Sequence, residues 1–367
     1  MSDRNELRSA SEDSPMLSGM DGKAGKQPGL TRREMLTQAL MAGVLLPQRL
    51  GNRGGRGGMR SRVIDPAQIP AYKYRTLPVS RFAELQAEYD KYKNDSGISR
   101  NKAFRDEVTP LNFKVPADFS NAKSVVVMAT FAKLMYVNFH LDGKTIRVMV
   151  PPQYYADDMN AEKLKSIIQK DIVKRADSRV VDISNRVPLK PLAAHSGLGR
   201  YGRNNLIFVE GMGTFNLLAA FLTDQTFPED NWTAINILDA CRRCDHCDRI
   251  CPTGSISRSN FLLNIDRCIT LYNENPGDFP NWIMKSSHHA LMGCVRCQDP
   301  CPENSGFSSV TGNLEDISEE ETQKILNGIS DDTLLKALQR KLKDFPAAES
   351  KATFPVLTRN LNVLARP

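Results

Sequence analysis

KSVVVMATF, Lys123 to Phe131, is an unbroken run of apolar and β-branched residues of strand length, and TIRVMV, Thr145 to Val150, is a second. The stretch between them holds Asp142-Gly143, which marks a loop. Upstream, FAELQAEYDKYK (Phe82 to Lys93) sets Phe82, Leu85 and Tyr89 at helical spacing among helix formers and predicts a helix. Asn160 to Asp177 brings Leu164, Ile167, Ile168 and Ile172 to one face of another helix, and RVVD (Arg179 to Asp182) follows as a short strand. NLIFV (Asn205 to Val209) and FNLLAAFLTD (Phe215 to Asp224), separated by Glu210-Gly211-Met212-Gly213, read as a hairpin. Near the C-terminus Ser318 and Glu321 form a capping box ahead of a helix over Thr322 to Asn327, with Gly328 at its stop. A second helix, Asp331 to Lys343, precedes Pro346. Helix and strand mix without a strict βαβ repeat, which predicts an α+β layered domain.

The 367 residues, 41% hydrophobic, suffice for about two domains with real cores. The formal charge of +7 changes the picture little, because five arginines crowd into the glycine-rich stretch Arg49 to Arg62, which reads as a tether. An RNA-binding arginine-glycine segment is the alternative reading of that stretch. Just before it, Arg32-Arg33 leads into the apolar run Leu36 to Leu46, too short to span a bilayer but suited to a signal h-region. The segment resembles a twin-arginine export signal, so export by that route stands beside a cytoplasmic location as an expectation. Association with a membrane is left open on the same ground.

Cysteine usage changes the picture most. All eight cysteines fall between Cys241 and Cys301, and a clustering of that kind indicates a metal site rather than a disulfide scaffold. Cys241, Cys244, Cys247, Cys251 and Pro252 have the C-x2-C-x2-C-x3-C-P spacing of bacterial ferredoxins. Cys268 stands alone, and Cys294, Cys297, Cys301 and Pro302 form C-x2-C-x3-C-P. In two-cluster ferredoxins the fourth cysteine of a run ligates the other cluster. Applied here, that rule assigns Cys241, Cys244, Cys247 and Cys301 to one [4Fe-4S] cluster and Cys251, Cys268, Cys294 and Cys297 to the other. Paired C-x2-C motifs also make zinc sites, but the triple followed by Cys-Pro is poor zinc geometry. His246, inside the first loop, reads as a polar neighbour; His288 and His289 are solvated or substrate-facing.

Gly197, Gly199 and Gly202, close to Arg200 and Arg203, permit close approach of backbone to a bulky ligand, or a structural turn. They are not a dinucleotide fingerprint, since they precede a strand rather than open a helix. SGLGRYGRNNLIF, with the strand end FLTD, the segment PPQYYADD, the cysteine layout and the C-terminal EEETQKILNG and TRNLNVL, resembles the epoxyqueuosine reductases and their relatives, the corrinoid-dependent reductive dehalogenases. The resemblance covers residues 110 to 365.

That resemblance implies a nitroreductase-like α+β domain (71–235) holding cobalamin and substrate, a ferredoxin-like double-cluster domain (236–310) and a short helical tail (311–367), after a disordered N-terminal segment (1–65). Gly197, Gly199 and Arg203 would contact the cobalamin. Asp182 matches the family's general acid by position, although Asp182-Ile183-Ser184-Asn185 replaces the family's Asp-x-Ala-Pro; Tyr154 or Tyr155 is the alternative proton donor. The implied activity is oxidoreductase chemistry, reductive cleavage of a carbon-oxygen or carbon-halogen bond, on a tRNA-derived or small-molecule substrate with a low-potential electron donor. An exported dehalogenase-like enzyme and a two-cluster electron carrier without corrinoid are the alternatives.

Overall fold

The apolar run at 124–131 is unbroken because the strand it forms is covered on both faces. The computed structural model describes residues 64–94, 99–156 and 159–366; the tether and the twin-arginine motif lie outside them. In the strand Ser124–Phe131, Val125, Val127 and Ala129 enter one core, and Val126 and Met128 enter another on the opposite face. This strand (β2) is central in a four-stranded antiparallel sheet. Tyr72–Pro78 (β1) flanks it on one side, Asn216–Thr223 (β8) on the other, and Val180–Asp182 (β5) closes the far edge.

On one face of the sheet lie helices Phe82–Asn94 (α1), Lys102–Val108 (α2) and Leu189–His195 (α4), which contribute Leu85, Phe104 and Leu192 to the larger core. Ala161–Ile167 (α3) covers the other face with Leu164, aided by Ile168 and Ile172 of the π-helical turn that follows it. Helical structure there ends at Ile172, short of the expected Asp177.

Two expectations fail for the same reason, that strand partners are chosen by burial rather than by nearness in sequence. The stretch between the first two apolar runs is itself a strand, Leu134–Leu141 (β3), paired with Lys144–Val150 (β4) in a second sheet. Asp142 and Gly143, with φ of 49° and 68°, form only the two-residue turn between them. The hairpin expected of 205–209 and 215–224 does not form either. Ile207–Phe208 (β7) pairs back onto Arg200–Tyr201 (β6), while β8, whose residues Ala219 to Thr223 are buried, is drawn between β2 and β5.

The C-terminal residues complete the second sheet. Thr311–Asn313 (β9) adds to β3 in parallel. Helices Glu319–Leu326 (α7), Asp332–Lys341 (α8) and Phe354–Ala365 (α9) pack Ile325, Leu338 and Leu357 against Phe139 and Val148 of the hairpin. The capping box forms as expected: Ser318 Oγ accepts from Glu321 N at 3.3 Å and Glu321 accepts from Ser318 N at 2.8 Å. Because hairpin and tail share one core, replacing the fully buried Leu357 by Ala should cost about 2–5 kcal/mol. The denaturation midpoint should fall, and amide exchange should quicken in β3 and β4 as well as in α9.

Candidate metal centre and adjoining cleft

The eight cysteines lie on loops and single helical turns, where the backbone can bend around a bulky group. Cys241 sits in the turn Asp239–Arg242, Cys244 and Cys247 flank the start of His246–Ile250 (α5), and Cys251 follows it in extended conformation. Cys268 precedes Ile269–Glu274 (α6), and Cys301 precedes the turn Pro302–Asn304. Pro302 occupies a first-turn position that needs no N–H donor.

The fold sorts the sulfurs into two groups. Burial first, then Cys241, Cys244 and Cys301, push the Cys247 thiol up to about 12. Burial, with Cys241 and Cys244 close by, pushes Cys301 up to about 11. Elsewhere burial, with Cys268 and Cys251 close by, pushes Cys294 up to about 12. Cys251, Cys268, Cys294 and Cys297 line one cavity of about 70 Å³. Cys297 lies within the field of Cys247 as well as of its own group, so the two groups adjoin. Sulfurs held as thiols at neutral pH bind metal by exchanging protons for it, so loading either group releases protons. Four thiols around an apolar cavity, as in the second group, fit a cubane, and the first group adjoins it.

Three consecutive residues after the glycine segment hold these loops in place. Arg203, 5% exposed, donates to Cys241 O at 2.7 Å, to Cys244 O at 3.1 Å and to Arg258 O at 3.3 Å. Asn204 donates to Cys297 O at 3.3 Å. Asn205, at a φ of 57°, donates to Phe261 O at 2.7 Å and accepts from Leu263 N at 2.6 Å. Asn304, fully buried, accepts from Thr214 N and donates to Thr214 Oγ1 and Gln298 O, tying the 211–215 turn to the second cysteine segment. Arg203 is therefore not the corrinoid contact expected of it, since its guanidinium is turned inward onto cluster-loop carbonyls. Buried side chains bonded to backbone carry no periodic signature, which is why sequence reading missed this clamp.

A cleft of about 810 Å³ lies on the other side of the glycine segment, lined by Gly197 and Gly199, by Lys73 and Arg75 of β1, and by Arg200, Glu210, Glu303 and Phe307. It reaches the first cysteine group through Leu238, whose carbonyl accepts from Cys241 N, and through Glu303, two residues beyond Cys301. Gly199 also has a packing role, because a Cβ there would stand 2.8 Å from Phe208 O. Gly197 adopts a φ of 70°, which favours glycine.

The two expected proton donors are elsewhere. Asp182 ends β5 at the far edge of the sheet, where its Oδ1 accepts from Ser184 N at 2.8 Å and Ser184 Oγ at 2.5 Å. The residue is exposed and is not among those lining the cleft. Tyr155 is buried in the second core, and its hydroxyl donates to Lys133 O at 2.7 Å. Tyr154 is also buried, donating to the Glu274 carboxylate beside Cys268 and Cys294. His246 approaches Arg249 at 3.3 Å. His289 accepts from Val295 N at 3.2 Å, which requires a neutral ring, and burial pushes it down to about 4. His288 packs on Phe279, with ring centroids 4.3 Å apart.

Lys190 was not singled out in the sequence. It is buried at 4% exposure and lies in the field of Cys268, Cys297 and Glu274. Burial pushes its ammonium down to about 8, against the opposing pull of those groups.

Comparison with known proteins agrees with this geometry. The family described as "4Fe-4S double cluster binding domain" matches residues 240–304. The epoxyqueuosine reductase of Escherichia coli is 33% identical over 151 residues, 41% of this chain and 38% of that one. The Staphylococcus aureus enzyme is 31% identical over 120 residues, 33% and 30% of the two chains. That of Atelocyanobacterium thalassa is 28% identical over 230 residues, 60% and 71%. The chain spans about a third of the length of the first curated relatives it matches, 30% for the S. aureus enzyme and 35% for that of Bacillus anthracis.

Among solved structures, the epoxyqueuosine reductase of Streptococcus thermophilus superposes with a TM-score of 0.52 at 16% identity, covering 80% of this chain and 76% of that one. An epoxyqueuosine reductase solved with an epoxyqueuosine-modified tRNA-Tyr stem loop gives 0.52 at 18% over the same shares. Fold and site together define an iron-sulfur redox protein with a double [4Fe-4S] cluster domain. The chain is similar to the epoxyqueuosine reductases over these shares.

Two outcomes follow from the clamp and the buried charge. Arg203→Met leaves the Cys241 and Cys244 carbonyls without their donor and should lower iron and sulfide content after anaerobic reconstitution, with the first group most affected by Mössbauer or EPR spectroscopy. Lys190→Met removes a positive charge that favours the reduced, more negative cluster. A loss of about 1 kcal/mol, or ~40 mV for one electron, is expected in the midpoint potential of the second cluster.

Proposed function

We propose that the protein is an epoxyqueuosine reductase-like, corrinoid-dependent reductase that delivers electrons through two [4Fe-4S] clusters for reductive carbon-oxygen bond cleavage. The observation that carries this reading is the 810 Å³ cleft, separated from the first four-cysteine group by Leu238 and Glu303. Its volume falls within the range of sites that enclose large organic ligands, and it lies between the four-stranded sheet and the cluster loops, where such sites favour domain junctions. In this reading the sheet domain is the nitroreductase-like, cobalamin-binding half.

The residues at the cleft fit a broad ligand with many polar arms. Gly197 and Gly199 let the backbone approach closely, and Lys73, Arg75 and Arg200 supply donors for amide and phosphate oxygens. Bound there, a corrinoid would supply a strongly reducing metal centre able to attack carbon. Glu303, on the cleft wall beside Cys301, is placed to deliver a proton from its carboxyl to the departing oxygen, the part first expected of Asp182. Held by the eight cysteines, the clusters would supply the electrons for that chemistry.

The substrate class we propose is epoxyqueuosine in tRNA, by analogy with the relative solved with a modified stem loop. Export by the twin-arginine route would separate the chain from tRNA and favour a small organohalide, so fractionation of cells expressing the full chain chooses between these substrates. Anaerobic reconstitution should yield about eight irons per chain, together with one cobalt when cobalamin is supplied. Iron at that level with no cobalt retained would remove the corrinoid and leave a two-cluster electron carrier. In the loaded enzyme, Glu303→Gln should slow turnover by on the order of 100-fold or more without changing metal content.

A further inference from the structure

Beside the cleft, whose wall includes Arg200, the first cysteine group lies beneath an arginine-rich face. Cys247 and Cys301 of the first group are less deeply set than Cys294 and Cys297, which line the second group's cavity. Arg200, Arg242, Arg243, Arg249 and Arg258 are all exposed around that group. Asp239 binds Arg200 at 3.0 Å and Arg242 at 3.1 Å, and Asp245 binds Arg249 at 3.2 Å and Arg258 at 3.7 Å. Each carboxylate thus steadies two guanidinium groups without cancelling them, and Arg243 has no carboxylate partner among the described residues. With Asp248, three aspartates face five arginines, so the face stays positive. Ile250, 40% exposed, adds an apolar point at the end of α5.

From this arrangement we infer that the face docks an acidic one-electron carrier protein, of the low-potential flavoprotein or ferredoxin class. Positive charge around a shallow redox group steers an acidic partner and raises its on-rate, while one apolar contact and alternating ion pairs fix its orientation. A nucleic-acid backbone fits less well, because its evenly spaced phosphates would meet Asp239 and Asp245 within the same patch. The transfer is balanced: the reduced carrier loses one electron, the cluster gains one, and no proton or atom moves. The inference rests on the two clusters and not on the corrinoid, so loss of cobalt leaves it standing.

The full chain, reconstituted to matched iron content, can be followed by stopped-flow bleaching of cluster absorbance with two reductants, a reduced acidic flavodoxin and photoreduced 5-deazaflavin. Arg243→Glu combined with Arg249→Glu should slow reduction by flavodoxin about ten-fold or more and flatten its salt dependence, leaving deazaflavin reduction unchanged. Arg243→Gln breaks no ion pair, so it serves if the double variant loads poorly; it should give a smaller, salt-sensitive fall. Wild-type flavodoxin rates in both variants, or wild-type rates indifferent to ionic strength, would overturn the inference. So would an RNA stem loop that binds wild type, fails to bind the variants and blocks flavodoxin, since the face would then be an RNA site.

Discussion

One topological constraint governs the rest of the molecule: each group of four sulfurs draws members from distant segments. Cys251 follows its three predecessors by four residues, yet its thiol turns to the cavity shared with Cys268, Cys294 and Cys297. Cys301 in turn joins the group of Cys241, Cys244 and Cys247. Two loops crossed in this way must lie against each other in one register, or neither group closes. The clamp of Arg203, Asn204, Asn205 and Asn304 meets that demand by tying both loops to the sheet domain through backbone carbonyls and amides.

The same constraint explains why the cores interleave along the chain. The β3–β4 hairpin belongs by sequence to the first half, but it buries its apolar face against C-terminal helices. Tyr154, just after the hairpin, reaches Glu274 on the cysteine side and packs so closely on Gly293 that a Cβ there would collide with its ring. Cluster loops are thereby held between two cores rather than hung from one, which limits the movement of the sulfurs as charge arrives.

Charge is distributed to match. The inner cavity is mostly apolar, with buried Lys190 within range of Cys268 and Cys297. The outer group has exposed arginines around it, of which Arg200 also lines the cleft.

What the sequence determined by itself is the chemistry of the centre, because cysteine spacing within a short segment constrains local geometry directly. The capping box at Ser318 and the helix beginning at Phe82 were legible in the same local way. Tertiary structure alone decided the partners. The apolar run at 215–224 says that a strand exists and leaves open which strand lies beside it, since pairing is settled by the burial available to both faces. The same holds at single residues: Arg203 and Asp182 each sit in an informative motif, but the first turns inward to loop carbonyls and the second caps a turn at the sheet edge. Side-chain direction depends on neighbours hundreds of residues away in sequence or only a few, and no local pattern records it.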